Sequence, residues 1–134
     1  MQPIGLAVAI AVPDLDEAVA TYQRLLGGAE PERASSPADG VEVATFRIGD
    51  GHLQLVAPTR DDSVIAQHLA DGGPALHHFG LLVGDMGAAT GHLAAVGART
   101  LGEPRPGAGG RPVLFLHPKA AHGALIELLE LKEG

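Results

Sequence analysis

Three polar side chains interrupt apolar, strand-like runs in this chain, and their types suit a divalent cation. Gln54 sits between Leu53 and Leu55, Glu127 between Ile126 and Leu128, and His78 precedes the run Phe79-Gly80-Leu81-Leu82-Val83. Successive side chains of a strand point to opposite faces, so Gln54 and Glu127 each lie on the face that their immediate neighbours avoid. A carboxylate and an amide turned together need hydrogen-bond partners or a cation, because an unpaired buried polar group is costly. With the His78 imidazole they offer one nitrogen and two oxygen donors, a set that divalent metals accept. Any one of them alone reads as a polar residue facing water across a half-exposed sheet. Three in related places favour a site.

What relates them is an internal repeat. Ala7 to Val12 is an apolar strand with a turn at Pro13-Asp14, and His78 to Val83 is another with Gly84-Asp85 behind it. A helix should follow each. Asp14 is a candidate N-cap with Glu17 three residues on, ahead of the stripe Leu15, Ala18, Val19, Tyr22 and Leu25/Leu26; Asp85 caps Met86, Ala89, Leu93 and Val96. Gly27-Gly28 and Gly97 close these helices. The first unit then runs through a strand from Val41 to Ile48, a turn at Gly49-Asp50-Gly51 and a strand from His52 to Val56. The second runs through Val113 to Leu116 and Ala124 to Leu129. Between the copies, Asp61 to Ala70 reads as a short linking helix before the breaker Gly72-Gly73-Pro74. The chain is thus an α+β protein of two strand–helix–strand units sharing a cleft. In this alignment Gln54 corresponds to Glu127, and His78 to Ala7. A methyl group cannot ligate, so a metal here has three protein donors with water in the fourth place, or the cleft holds no metal.

The remaining polar residues are less specific. His77 alternates with His78 and should face the other way, and His68 and His92 read as exposed helix residues. His52 shares a face with Gln54 and is a candidate for ligand contact. His117, His122 and Lys119 fall in a loop between the last two strands. The segment Gly102 to Arg111 is rich in glycine and basic at Arg105 and Arg111, as a loop over a bound anion would be, yet it matches neither standard glycine-rich nucleotide signature. No HExxH, G-x-S-x-G or cysteine nucleophile is present.

Composition narrows the classes further. In 134 residues, 46% hydrophobic, a core is affordable, but with three Phe, one Tyr and no Trp it must be made of Ala, Leu, Val and Ile. A net charge of -7 argues against nucleic acid as a partner. Cysteine is absent, which excludes disulfides and thiolate chemistry and fits the cytoplasm. The apolar start from Ile4 to Val12 is too short to span a bilayer.

At these residues the chain resembles the vicinal oxygen chelate (glyoxalase/bleomycin resistance) superfamily, and within it the methylmalonyl-CoA epimerase family. The segments that carry the resemblance are Ile10-Ala-Val-Pro-Asp-Leu-Asp-Glu-Ala18, Gln54-Leu-Val-Ala-Pro58, Asp62-Ser-Val-Ile-Ala66 and Leu76-His-His-Phe79. To them belong also Glu103-Pro-Arg-Pro-Gly107, Phe115-Leu-His-Pro-Lys119 and Gly123-Ala-Leu-Ile-Glu-Leu128. The resemblance implies duplicated βαβββ modules, here about residues 4–57 and 76–131, forming a cupped eight-stranded mixed sheet around a divalent metal (Co, Mn, Zn or Ni). The ligands it implies are Gln54, His78 and Glu127, with Ala7 where a first-strand histidine is expected. The activity it implies is proton exchange at C2 of a malonyl-type CoA thioester. A Lewis acid stabilises the enolate while Glu127 and a second-strand glutamate act as bases. Glu42 is the nearest such glutamate, in alternation with Ala44, Phe46 and Ile48, with Val43 competing for the place. Arg105, Arg111 and Lys119 are then candidates for the phosphates of an acyl-CoA, and a homodimer is expected. Two other readings use the same scaffold: glyoxalase-type isomerisation, and a metal-free binding protein or natural-product tailoring enzyme.

Overall fold

The computed structural model describes residues 1–131. Its strands are β1 (Gly5–Ala11), β2 (Glu32–Ser36), β3 (Val41–Ile48), β4 (Gly51–Pro58), β5 (Ala75–Val83), β6 (Thr100–Pro106), β7 (Pro112–Leu116) and β8 (Ile126–Glu130). The helices are α1 (Leu15–Leu25), α2 (Val64–Gly72) and α3 (Met86–Ala95). One mixed sheet has the order β2-β3-β4-β1-β5-β8-β7-β6. β1 pairs with β4, and β5 with β8, in parallel, while β1 and β5 meet antiparallel at the centre. The order is therefore symmetric about the β1–β5 junction, and the expected pair of βαβββ units in a cupped sheet is what the chain forms.

Each unit covers the outer face of its half of the sheet with one helix. Around α1, Leu15 and Val19 pack on Ala44, Phe46, Leu55 and Ala57; around α3, Met86, Ala89 and Leu93 pack on Val83, Leu114, Leu116 and Leu128. Phe46, Leu55, Leu82 and Leu128 are fully buried, and each such side chain contributes about 1.5–3 kcal/mol of transfer free energy. The caps read from sequence are made: Asp14 Oδ1 accepts from the Glu17 amide at 3.1 Å and Asp85 Oδ1 from the Ala88 amide at 3.1 Å. The Met86 amide donates to Glu130 Oε2 at 2.9 Å, tying α3 to the last strand. Asp14→Ala should cost about 1 kcal/mol, seen as a lower urea midpoint at unchanged slope; an unmoved midpoint would show that this cap does not contribute.

Two sequence expectations shift. The linking helix begins at Val64 rather than Asp61, because Ser63 caps it, its side chain accepting from the Ala66 amide at 3.1 Å. Thr100–Pro106 is an edge strand and not loop; proline and glycine are tolerated there because an outer edge needs no ladder donors on one side. β2, the opposite edge, carries no apolar alternation that would announce it. At the mouth of the parallel β1–β4 pair the backbones approach so closely that a Cβ on Gly5 would meet the Asp50 carbonyl, and one on Gly51 that of Leu6. No helix among the described residues is long and apolar enough to cross a membrane.

Candidate functional site

Register decides which side chains enter the concave face. Ala7 lies opposite His52 on β4 and Gly80 on β5, and Gly80 lies opposite Glu127 on β8. In the next row, Ala9 lies between Gln54 and His78, and Gln54 faces Thr45 on β3. Gln54, His78, Glu127 and His52 all line one cleft of about 520 Å³, a size that holds a small-molecule ligand. The strand positions between these side chains are held by small residues, Ala7, Ala9 and Gly80. Valines of β3 and β4 with Ile65 of α2 make one apolar wall.

At the centre, His78 Nε2 stands 3.6 Å from Glu127 Oε1, with the two side chains only 8% and 14% exposed. Phe115 packs edge-on against the His78 ring, centroids 5.3 Å apart. A separation of 3.6 Å is beyond hydrogen-bond length, and it is about what two donors each ~2.1 Å from a common ion would show. Among the described residues no three His, Cys, Asp or Glu side chains converge as a metal cluster. What the cleft offers is the His78–Glu127 pair with the Gln54 amide on its other wall, while Ala7 supplies only a methyl. One imidazole nitrogen and two side-chain oxygens are donor types that a divalent cation accepts.

His77 departs from expectation. The β1–β5 ladder runs Ala9↔His78 and then Ile10↔Leu76, so His77 is an extra residue in a bulge. A bulge interrupts the in-and-out alternation, and His77 joins His78 in lining the cleft instead of facing away. Its Nδ1 lies 2.9 Å from His78 Nδ1. Burial, with His78 and His68 beside it, lowers the His77 pKa to about 4. His68 is not an exposed helix residue either: its ring stands edge-to-face with His77 at 4.9 Å and its Nε2 is buried.

The second glutamate expected at the site is elsewhere. Val43 and Thr45 line the cleft, whereas Glu42 does not and alternates with them on the α1-covered side of β3, along with Ala44 and Phe46. The pairing of Thr45 with Gln54 sets that parity. His52 does enter the cleft, its Nδ1 buried. Burial lowers its pKa, helped by the positive charges of Arg47 and Arg111 and opposed by Glu32. Arg47, the strand partner of His52, was not singled out in sequence because a lone arginine near a turn carries no signal.

Of the anion candidates, Arg105 and Arg111 line the cleft. Arg105 Nη1 pairs with Asp39 Oδ2 at 2.8 Å, and Ser36 Oγ donates to the same oxygen at 2.9 Å, so the β6 edge is clasped to the β2–β3 turn across the mouth. Lys119 is not among the cleft residues. It lies exposed on a short turn, Pro118–Ala121, where its amide donates to His117 Nδ1. The turn that places it follows β7.

Comparison with known proteins agrees with this geometry. The family model for the glyoxalase/bleomycin resistance protein/dioxygenase superfamily matches residues 7–115. An ethylmalonyl-CoA/methylmalonyl-CoA epimerase of Cereibacter sphaeroides is 43% identical over 125 residues, covering 90% of this chain and 92% of its own. The mitochondrial methylmalonyl-CoA epimerase of Homo sapiens is 40% identical over 123 residues, 90% of this chain and 70% of its own. The crystal structure of methylmalonyl-CoA epimerase from Mycobacterium tuberculosis superposes with a TM-score of 0.89 at 34% identity, covering 98% and 90% of the two chains. A methylmalonyl-CoA epimerase in complex with methylmalonyl-CoA and NH4+ superposes with a TM-score of 0.83 at 34% identity, covering 96% and 93%.

Proposed function

Because the chain belongs to the glyoxalase/bleomycin resistance protein/dioxygenase superfamily, and epimerases match it over nearly its whole length, we propose that it is an isomerase that epimerises C2 of a methylmalonyl-type CoA thioester. The observation that carries this reading is the Glu127–His78 pair, 3.6 Å apart and largely buried at the floor of an acyl-sized cleft. Glu127 takes the C2 proton, and the electron pair left behind delocalises onto the thioester oxygen. Gln54, His78 and Glu127 are the residues that would hold a divalent cation, which when bound supplies a Lewis acid for that oxygen. Glu42 stands on the other face of the sheet, so the proton that returns to C2 comes from another group inside the cleft. The apolar wall of Val43, Val56 and Ile65 keeps water from the reacting carbon. The test is exchange of the C2 proton of methylmalonyl-CoA into deuterated water, with and without added cobalt, beside the metal content of protein purified without chelator. Exchange that rises with cobalt is expected.

A second reading has its own observation. Val43 in the cleft lining and the buried Ala7 both put apolar groups where the family resemblance implies polar ones, as a metal-free binding protein or tailoring enzyme of this fold would. Tight acyl-CoA binding without C2 exchange, and without metal uptake, would establish that reading and remove the epimerase.

For the nucleotide end of the substrate, Arg111→Glu should weaken methylmalonyl-CoA binding by about tenfold at low salt and less at high salt. Lys119→Glu should change it little. Equal loss for a short thioester lacking the nucleotide would exclude phosphate recognition by Arg111. We further propose a homodimer, since Leu6 and Leu76 leave apolar surface uncovered on the central strands, and a cytoplasmic location, with which a chain free of cysteine is compatible; sedimentation showing only monomer at micromolar concentration would end the dimer.

A further inference from the structure

We propose that His77 is a positioning residue that fixes the tautomer of His78, holding the proton on His78 Nδ1 so that the Nε2 lone pair faces the cleft. The inference rests on the reading of His78 as a site residue and adds a role that strand alternation would have denied to His77.

The geometry leaves few choices. The two Nδ1 atoms are 2.9 Å apart, so one carries a proton and the other accepts it; two bare or two protonated nitrogens would repel. If His77 were the donor, His78 would carry its own proton on Nε2. There the nearest carboxylate oxygen, Glu127 Oε1, is 3.6 Å away, too far to accept a hydrogen bond of normal length. With the proton on His78 Nδ1, the short contact is satisfied and Nε2 is free to meet a cation or a substrate proton. A ligating histidine is commonly held this way, through its other ring nitrogen, by an acceptor behind it.

The acceptor is built into place. The bulge between Ala9 and Ile10 admits His77 to the His78 side of the sheet. His68, from the helix that links the two units, stands edge-to-face against the His77 ring, and the His77 and His78 rings are themselves edge-to-face at 5.1 Å. On the far side Phe115 closes against His78. The file His68–His77–His78–Glu127 thus runs from α2 to the floor of the cleft, and it gives α2 a part in the site.

The experiment is two-bond proton–nitrogen correlation of the histidine rings in the 15N-labelled full-length protein, with His78 assigned by the signal lost in His78→Gln. The wild-type protein should show a proton-bearing Nδ1 and a bare Nε2 on His78. His77→Leu, which removes the acceptor, should move the proton to Nε2 and lower affinity for zinc ion alone by roughly tenfold or more. His77→Asn keeps an oxygen near the position of Nδ1 and should restore both. A wild-type His78 protonated on Nε2, or an unchanged tautomer in His77→Leu, would overturn the proposal. If the wild-type protein takes up no zinc, the cation reading of the cleft fails, and the tautomer in the metal-free protein alone decides the role of His77. Should His77→Leu not fold, the wild-type tautomer and the Asn variant still decide it.

Discussion

Glu127→Gln should slow exchange of the C2 proton of methylmalonyl-CoA by about a hundredfold to ten-thousandfold, the span that removal of a positioned general base covers. The substitution keeps shape and an oxygen donor beside His78 while abolishing the proton acceptor, so the loss should fall on kcat with KM little moved. Glu127 reaches the cleft because β8 runs parallel to β5 with Glu127 opposite Gly80, which has no side chain to cover it. Glu42→Gln is the matched control. It changes a carboxylate that lies on the other face of β3, and exchange should stay within about twofold of wild type. A Glu127→Gln protein that exchanges at near wild-type rate would take Glu127 out of the reaction. A large loss in Glu42→Gln would show that its carboxylate reaches the cleft in the working enzyme.

Ala7→His is expected to invert the dependence of stability on metal. Ala7 is 2% exposed and packs with Leu82, Val113 and Leu129. An imidazole there overfills that packing, at a cost of about 1–3 kcal/mol without metal. One feature limits that cost: Gly80 opposite has no side chain. With the added nitrogen the donor set becomes His, Gln, His and Glu, and affinity for cobalt or zinc should rise at least about tenfold. At a hundred times the dissociation constant, binding to the folded state contributes about 2.7 kcal/mol, enough to offset most or all of the packing loss. The expected result is a lower melting temperature than wild type in chelator, recovery on adding metal, and faster C2 exchange in the loaded protein. If the variant gains neither metal nor exchange, Gln54, His78 and Glu127 are not a latent cation site, and the metal-free reading takes the place of the epimerase.

Much of this molecule is written locally. Asp14 and Asp85 stop the chain from continuing as strand and cap the helices that follow, whatever packs on them, so both helices could be read in sequence. Val41–Ile48 appears as a strand because its own residues favour one. Gln54 and Glu127 stand out because a polar residue flanked by leucine and isoleucine announces a change of face. Repetition then pairs Gln54 with Glu127 and His78 with Ala7, before any coordinate is known.

What the sequence could not carry is whatever depends on a partner strand. The edge strands β2 and β6 have water on one side and contain charged residues, proline and glycine, so no alternation marks them. Glu42 and Val43 differ by one step in register, and a one-residue step exchanges the faces of a strand; only the pairing of Thr45 with Gln54 shows that the valine, not the glutamate, enters the cleft. His77 is the sharpest case. Alternation along β5 sends it away from His78, but β1 matches Ala9 to His78 and Ile10 to Leu76, leaving His77 over. That surplus exists only between two strands, and so the contact of two adjacent histidines at 2.9 Å was decided by tertiary structure alone.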